Sequence, residues 1–218
     1  MDKKTVAVVL SGCGVYDGAE INEVVLTLLA LENNGCEYQC FAPDIDQHHV
    51  IDHTTGNITT GSRNVLKEAA RIVRGNIKPV TECSADLYSA VIIPGGFGVA
   101  KNLSTFALGG DNLDVNPDTY KVLQQFARSN KPAGYMCIAP VLIPVIYGHN
   151  VRVTIGNDKE TIDYIERSGC VHQLAGFDEI VVDEERKVVT TPAYMLATKI
   201  SEAKTGIDKL VSEVIRLS

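Results

Sequence analysis

Cys137 closes the apolar run Ala133–Met136 and is followed by Ile138-Ala139-Pro140. A thiol at such a strand-to-helix junction is lifted above the sheet edge by the tight turn. The N-terminus of the following helix is expected to lower its pKa by favouring the thiolate. Type and place point to a nucleophile; the plainer reading is a small buried hydrophobe, which is what most free cysteines are. A second apolar run, Ala90–Ile93, ends in Pro94-Gly95-Gly96. Paired glycines let the backbone turn sharply and present bare N–H groups. Together with the N–H of Ile138 these could hold a developing oxyanion, although a Gly-Gly turn is also common without function. Glu20 and Glu23 open a helical stretch. Acidic residues complement the helix dipole there, which accounts for one of them. Glu23 lies a turn further in, beside the apolar stripe through Val24 and Leu28. At that depth and near a thiol, its carboxyl is expected to have a raised pKa and to share a proton with the sulfur.

Other constellations carry less. Gly12-x-Gly14-x-x-x-Gly18 resembles a dinucleotide loop but misses the third glycine by one residue, and Asp44 is too far along for a ribose contact. Cys36 and Cys40 have no further pair at zinc-ligand spacing, so no metal site is expected. Cys13 lies in the loop after the first apolar run, read first as a small loop residue and second as a thiol lining the cleft; Gly95 is a further cleft-lining candidate. The five histidines, His48, His49, His53, His149 and His172, fall in turns or at a strand end, and none is singled out as an orienting base.

The elements that must position these residues alternate. Thr5–Leu10 is a continuous apolar run, as in a strand covered on both faces. Glu20–Asn33 carries Ile21, Val24, Val25, Leu28 and Leu29 at helical spacing, with Gly35 at its close. Strands are expected at Glu37–Ala42, Ala90–Ile93, Ala133–Met136, Val151–Ile155, Cys170–His172, Glu179–Val182 and Lys187–Thr190, with a hairpin turn at Asp183–Arg186. Helices are expected from a Ser62 cap through Val73, from an Asn116 cap to about Ser129, and over Pro140–Tyr147, Lys159–Ser168 and Thr205–Leu217. Asp44–Gly61 is a polar excursion with a hairpin candidate at Thr54–Asn57. One doubly wound, mostly parallel sheet accounts for residues 1–218 as a single domain of α/β class. Ligands of such sheets bind at the carboxyl ends of the strands, where Ser11–Glu23, Pro94–Asn102 and Cys137–Pro140 all fall.

Composition narrows the classes. The chain has 218 residues, 45% hydrophobic and 22% charged, with a formal net charge of −7. The acidic balance argues against nucleic-acid binding, and no stretch approaches the roughly 20 apolar residues of a membrane span. The apolar run after Lys3-Lys4 is too short for a signal peptide and lacks a cleavage pattern. The expectation is a cytoplasmic protein with free thiols, no nucleic-acid partner and no membrane attachment.

Taken together, these residues resemble the class I glutamine amidotransferase-like superfamily, which includes the PfpI proteases and the parkinsonism-associated deglycases. Gly18-Ala19-Glu20-Ile21-Asn22-Glu23 is similar to its Glu-containing loop, Pro94-Gly95-Gly96 with Asn102-Leu103-Ser104 to its oxyanion turn, and Cys137-x-x-Pro140 to its elbow. Ser11–Gly18, Met136–Pro140 and Val189–Leu196 resemble the ElbB-type group named for isoprenoid biosynthesis or as glyoxalases. The resemblance implies a flavodoxin-like three-layer α/β/α sandwich and a homodimer. It implies Cys137 as nucleophile, Glu23 as acid/base, Gly96 and Ile138 as oxyanion N–H donors, and no metal or organic cofactor. The implied activity is conversion of a small dicarbonyl, glyoxal, to glycolate through a cysteine hemithioacetal, with deglycation as related chemistry. Three departures stand out. Ile155–Asp158 lacks the deglycase histidine, Ile138 replaces the histidine that follows the protease cysteine, and His172-Gln173-Leu174 replaces the amidotransferase His-x-Glu. Tyr135 also stands two residues before the nucleophile, where a smaller residue is common. A Cys/Glu dyad is expected in place of a triad. The alternatives are a redox-sensing or regulatory protein that keeps the elbow cysteine and, third, an enzyme acting on an isoprenoid-pathway intermediate, for which no diphosphate site is legible.

Overall fold

The computed structural model describes residues 3–109 and 113–218. Strands β1 (Thr5–Val9), β2 (Glu37–Ala42), β3 (Ile77–Pro79), β4 (Ala90–Ile93), β5 (Ala133–Met136), β8 (Val181–Asp183) and β9 (Val188–Thr191) form a seven-stranded sheet. Its order is β3-β2-β1-β4-β5-β9-β8, parallel throughout except for the antiparallel β8 at one edge. Two short strands, β6 (Arg152–Val153) and β7 (Val171–His172), pair separately.

The period of two along each strand sends alternate side chains to opposite faces, and both faces are buried. Val6, Val8 and Leu10 pack against helices α1 (Ile21–Asn33), α2 (Val65–Ile72) and α6 (Ile200–Leu217). Ala7, Val9, Val91, Ile93 and Tyr135 pack against α3 (Pro117–Arg128), α4 (Ile143–Tyr147) and α5 (Lys159–Arg167). The result is a three-layer α/β/α sandwich of flavodoxin-like type. The chain leaves β1 toward β2 on one side and resumes at β4 on the other, so the loops after β1 and β4 diverge to opposite layers. That switch point opens a crevice at the carboxyl ends of the strands.

Several boundaries depart from the periodicity. Asn64, not Ser62, caps α2, its side chain accepting from the Lys67 N–H. Residues Ala139–Leu142 form a 3₁₀ turn before α4, because Pro140 and Pro144 interrupt the backbone ladder. The strand expected over Val151–Ile155 pairs only at Arg152–Val153, and α6 starts at Ile200, earlier than its apolar stripe. β3, three residues with no alternation of its own, is held by pairing to Cys40–Ala42. A single sheet therefore does not account for every strand. The polar excursion carries a minimal hairpin bridge, Ile51 to Ile58, and folds back over the loop after β1.

Candidate active site

β5 ends at Met136, and Cys137 follows in the left-handed region at φ 59°. A non-glycine residue there costs about 1–2 kcal/mol and persists only where neighbours hold it. Here the Cys137 N–H donates to the Thr191 carbonyl at 3.0 Å, tying the elbow to the end of β9. The turn after β4 closes over it. An ideal Cβ on Gly95 would lie 2.5 Å from Cys137 Cβ, 2.8 Å from Glu23 Oε2 and 3.0 Å from Cys137 Sγ, so only glycine fits. Gly96, at φ 99°, has no room either, since a Cβ would sit 2.4 Å from the Gly18 carbonyl oxygen.

Glu23 sits in the first turn of α1, is fully buried, and faces the thiol across Gly95. Its Oε2 accepts from the Gly95 N–H at 2.7 Å and its Oε1 from the Tyr194 N–H at 3.3 Å. Burial, reinforced by the nearby Glu20 carboxylate, pushes the Glu23 carboxyl up to about 8. The backbone donors and Cys137 only partly oppose this. Glu20 caps α1, its carboxylate accepting from the Glu23 N–H, and burial raises its pKa too.

The thiol departs from the sequence reading. The turn after Cys137 was expected to lower its pKa, but burial first and the Glu23 charge second hold it well above 9.0. The N–H groups of Gly96 and Ile138 favour the thiolate, but they are outweighed. Two anions side by side in a buried site are strongly disfavoured, so thiol and carboxyl titrate as a pair sharing protons.

The sulfur opens on a cavity of about 380 Å³ whose walls include Val15, Phe97, Phe106, Ile138 and Met195. Gly96 and Tyr194 reach it; Asp158, Glu160 and Thr161 supply its remaining polar side chains. Its lining contains no histidine and no lysine or arginine among the described residues. Gly95 stands behind the thiol as a donor to Glu23. Cys13 is half-exposed, beside Arg71, Glu68 and Asp17, and its pKa is raised by burial; it does not appear in the cavity lining. Asn102 spends its side chain elsewhere. Its amide donates to the Ser11 and Asp17 carbonyls at 2.9 Å each and accepts from the His48 N–H, stapling the loop after β1.

Sequence reasoning missed Tyr194 as a member of the site. It follows Ala193, whose φ of 44° is left-handed, in a 3₁₀ turn after β9. The run Val189–Leu196 was legible only as a resemblance, because nothing in residue type signals a backbone N–H aimed at a distant carboxylate.

No family model matches the chain. The human glutamine amidotransferase-like class 1 domain-containing protein 3, mitochondrial, is 46% identical over 98% of this chain and 83% of its own length. The rat ES1 protein homolog, mitochondrial, is 46% identical over 98% of this chain and 84% of its own. A crystal structure of an isoprenoid biosynthesis protein with amidotransferase-like domain from Ehrlichia chaffeensis superposes with a TM-score of 0.92 at 32% identity, covering 98% of this chain and 99% of that one. Glyoxalase III from Candida albicans superposes with a TM-score of 0.65 at 11% identity, over 98% and 97% of the two chains, a likeness of fold alone. The curated relatives correct one expectation: both mammalian proteins are named mitochondrial, against the cytoplasmic reading.

Proposed function

This chain belongs to the family of the ES1 and glutamine amidotransferase-like class 1 domain-containing 3 proteins, and from that premise we propose that it is a glyoxalase converting glyoxal to glycolate. The observation that carries the reading is the buried Cys137–Glu23 pair opening on an apolar cavity beside the Gly96 and Ile138 N–H groups.

The reactive form holds one proton between sulfur and carboxyl. The thiolate adds to one aldehyde carbon, the new oxyanion is held by the Gly96 and Ile138 N–H groups, and the Glu23 proton moves onto it. This leaves a hemithioacetal and a Glu23 carboxylate. The carboxylate removes the proton from the sulfur-bearing carbon and returns it to the neighbouring carbon, while the hydroxyl proton passes to the second oxygen, giving a thioester. Water attacks the thioester, the sulfur leaves, and glycolate is released. The raised carboxyl pKa supports this order, since a group ionising at about 8 can act as acid and then base near neutrality. Deglycation of protein or nucleotide adducts would use the same addition step.

The absence of lysine and arginine from the described lining disfavours a diphosphate substrate. Ile21, Val25 and Leu29 are exposed along one side of α1 and offer a face for the expected homodimer. The test is glycolate formation from glyoxal by the wild type, by Cys137→Ala and by Glu23→Gln. Loss in both variants is expected, and undiminished turnover in either sinks the reading.

A further inference from the structure

The isomerisation just described leaves one charge unattended. When Glu23 removes the proton from the sulfur-bearing carbon, negative charge moves onto the oxygen of the second carbonyl. Gly96 and Ile138 are already committed to the first oxygen. A second proton donor must therefore face the cavity.

The lining offers few candidates. Asp158 caps α5, and its Oδ1 accepts from the Thr161 N–H at 2.9 Å and from the Thr161 hydroxyl at 2.6 Å. Those bonds hold the Asp158 carboxyl below its usual range, so it carries no proton, and they consume the only proton Thr161 has to give. Glu160 is exposed to solvent, and no described residue holds it toward the cavity. Among the described lining residues other than Cys137, that leaves Tyr194, whose phenol carries a proton to give.

Its geometry suits the task. The Asn22 amide donates to the Tyr194 hydroxyl oxygen at 3.3 Å, which fixes the oxygen and leaves its own proton directed elsewhere. Among the described residues no acceptor takes that proton. The same residue's N–H reaches Glu23 Oε1 at 3.3 Å, and Asn22 immediately precedes Glu23 on α1. Base and phenol are thus held by two adjacent residues of one helix and one residue of the β9–α6 connection. Ala193, immediately before Tyr194, is held in the left-handed region at φ 44°.

We propose that Tyr194 is a catalytic acid, its hydroxyl protonating the second carbonyl oxygen of an α-dicarbonyl substrate while Glu23 removes the proton from the sulfur-bearing carbon. The products of that step are an enediol bonded to Cys137, a protonated Glu23 and a Tyr194 phenolate. Glu23 then protonates the second carbon, the phenolate takes the proton from the hydroxyl on the sulfur-bearing carbon, and the thioester forms with both groups restored. The Asn22 N–H bond steadies the transient phenolate. Burial and the neighbouring carboxylates raise the Tyr194 pKa, which keeps the phenol protonated in the resting enzyme. The inference rests on the glyoxalase reading and assigns it substrates with two adjacent carbonyls; a simple aldehyde would add to Cys137 but could not isomerise.

The experiment compares wild type with Tyr194→Phe, which keeps the backbone N–H on Glu23 and the ring in the cavity wall. Glyoxal turnover and intact-protein mass after mixing with glyoxal are measured together. The expected result is a fall in kcat of about 10²-fold, the usual reach of a positioned general acid, with the Cys137 adduct still forming and now accumulating. Asn22→Ala is expected to lose about tenfold by misplacing the phenol, with adduct formation again intact. Wild-type turnover in Tyr194→Phe overturns the inference while leaving the glyoxalase reading standing. Loss of the adduct along with turnover also overturns it, since that marks a structural role. A wild type that makes no glycolate overturns both.

Discussion

Two cysteines lie in the same apolar layer of this molecule, alike in burial and unlike in the groups that face them. Cys40 is in the middle of β2, paired in the sheet with Ile77 and Val8, and fully buried. Its pKa is pushed up to about 12 by burial alone. Cys137 is nearly as buried, at 8% exposure, and its thiol is also driven upward. Yet Cys137 stands past the end of its strand, where the sheet no longer uses the neighbouring N–H groups. Gly96 and Ile138 can therefore turn theirs to the sulfur, and a buried carboxyl faces it. Burial makes a thiol inert. Burial beside a proton-sharing carboxyl and unspent N–H donors makes one that ionises only as part of a pair.

The sharpest way to break the comparison is to remove each sulfur in turn. Cys137→Ala is expected to lower kcat/KM for glyoxal at least ~10³-fold, whereas Cys40→Ala changes it less than about twofold; comparable losses would show that the distinction lies elsewhere. Gly95→Ala comes next. Its Cβ would press on Cys137 and on Glu23 Oε2, and about a 10²-fold loss is expected in glycolate production. Circular dichroism checks that the variant stays folded, and full activity in a folded variant would deny the close approach any importance.

Alkylation by iodoacetamide separates the two thiols by pH. Because the carboxyl of the pair titrates at about 8, the rate at Cys137 is expected to climb about tenfold per pH unit below that value and then flatten. Cys40 stays unreacted until the chain unfolds. A midpoint unchanged in Glu23→Gln would rule out proton sharing. The same shift has a stability sign. Glu23 ionises at about 8 in the folded chain against 4.5 ordinarily, so the native state keeps its proton longer. Its contribution is full below pH 4.5 and is lost as pH rises through about 8. The smallest effect concerns the backbone. With the side chain gone in both, Cys137→Gly is expected to be more stable than Cys137→Ala by about 1 kcal/mol, because glycine accepts a φ of 59° without strain. Equal urea midpoints would mean that the elbow is not strained.

Much of this was legible in the sequence. The apolar runs of β1, β4 and β5 and the stripe of α1 state their own elements, because a strand buried on both faces needs unbroken hydrophobicity and a helix on a sheet needs one apolar side. Cys137, Gly95, Gly96 and Glu23 announced themselves by type at element ends. β3 did not, because three residues carry no period, and α6 did not show its first turn, because that turn packs little apolar surface.

The sequence by itself determined which groups could do chemistry and that the strand ends would gather them. Only the tertiary structure decided how they behave. Whether a carboxyl ionises at about 8, whether a thiol is raised or lowered, and whether a tyrosine after β9 turns its N–H to a distant acid all depend on what is packed within a few ångströms. Those neighbours are far along the chain, Glu23 from Tyr194 by 171 residues, and desolvation is a property of the assembled interior that no local spacing encodes.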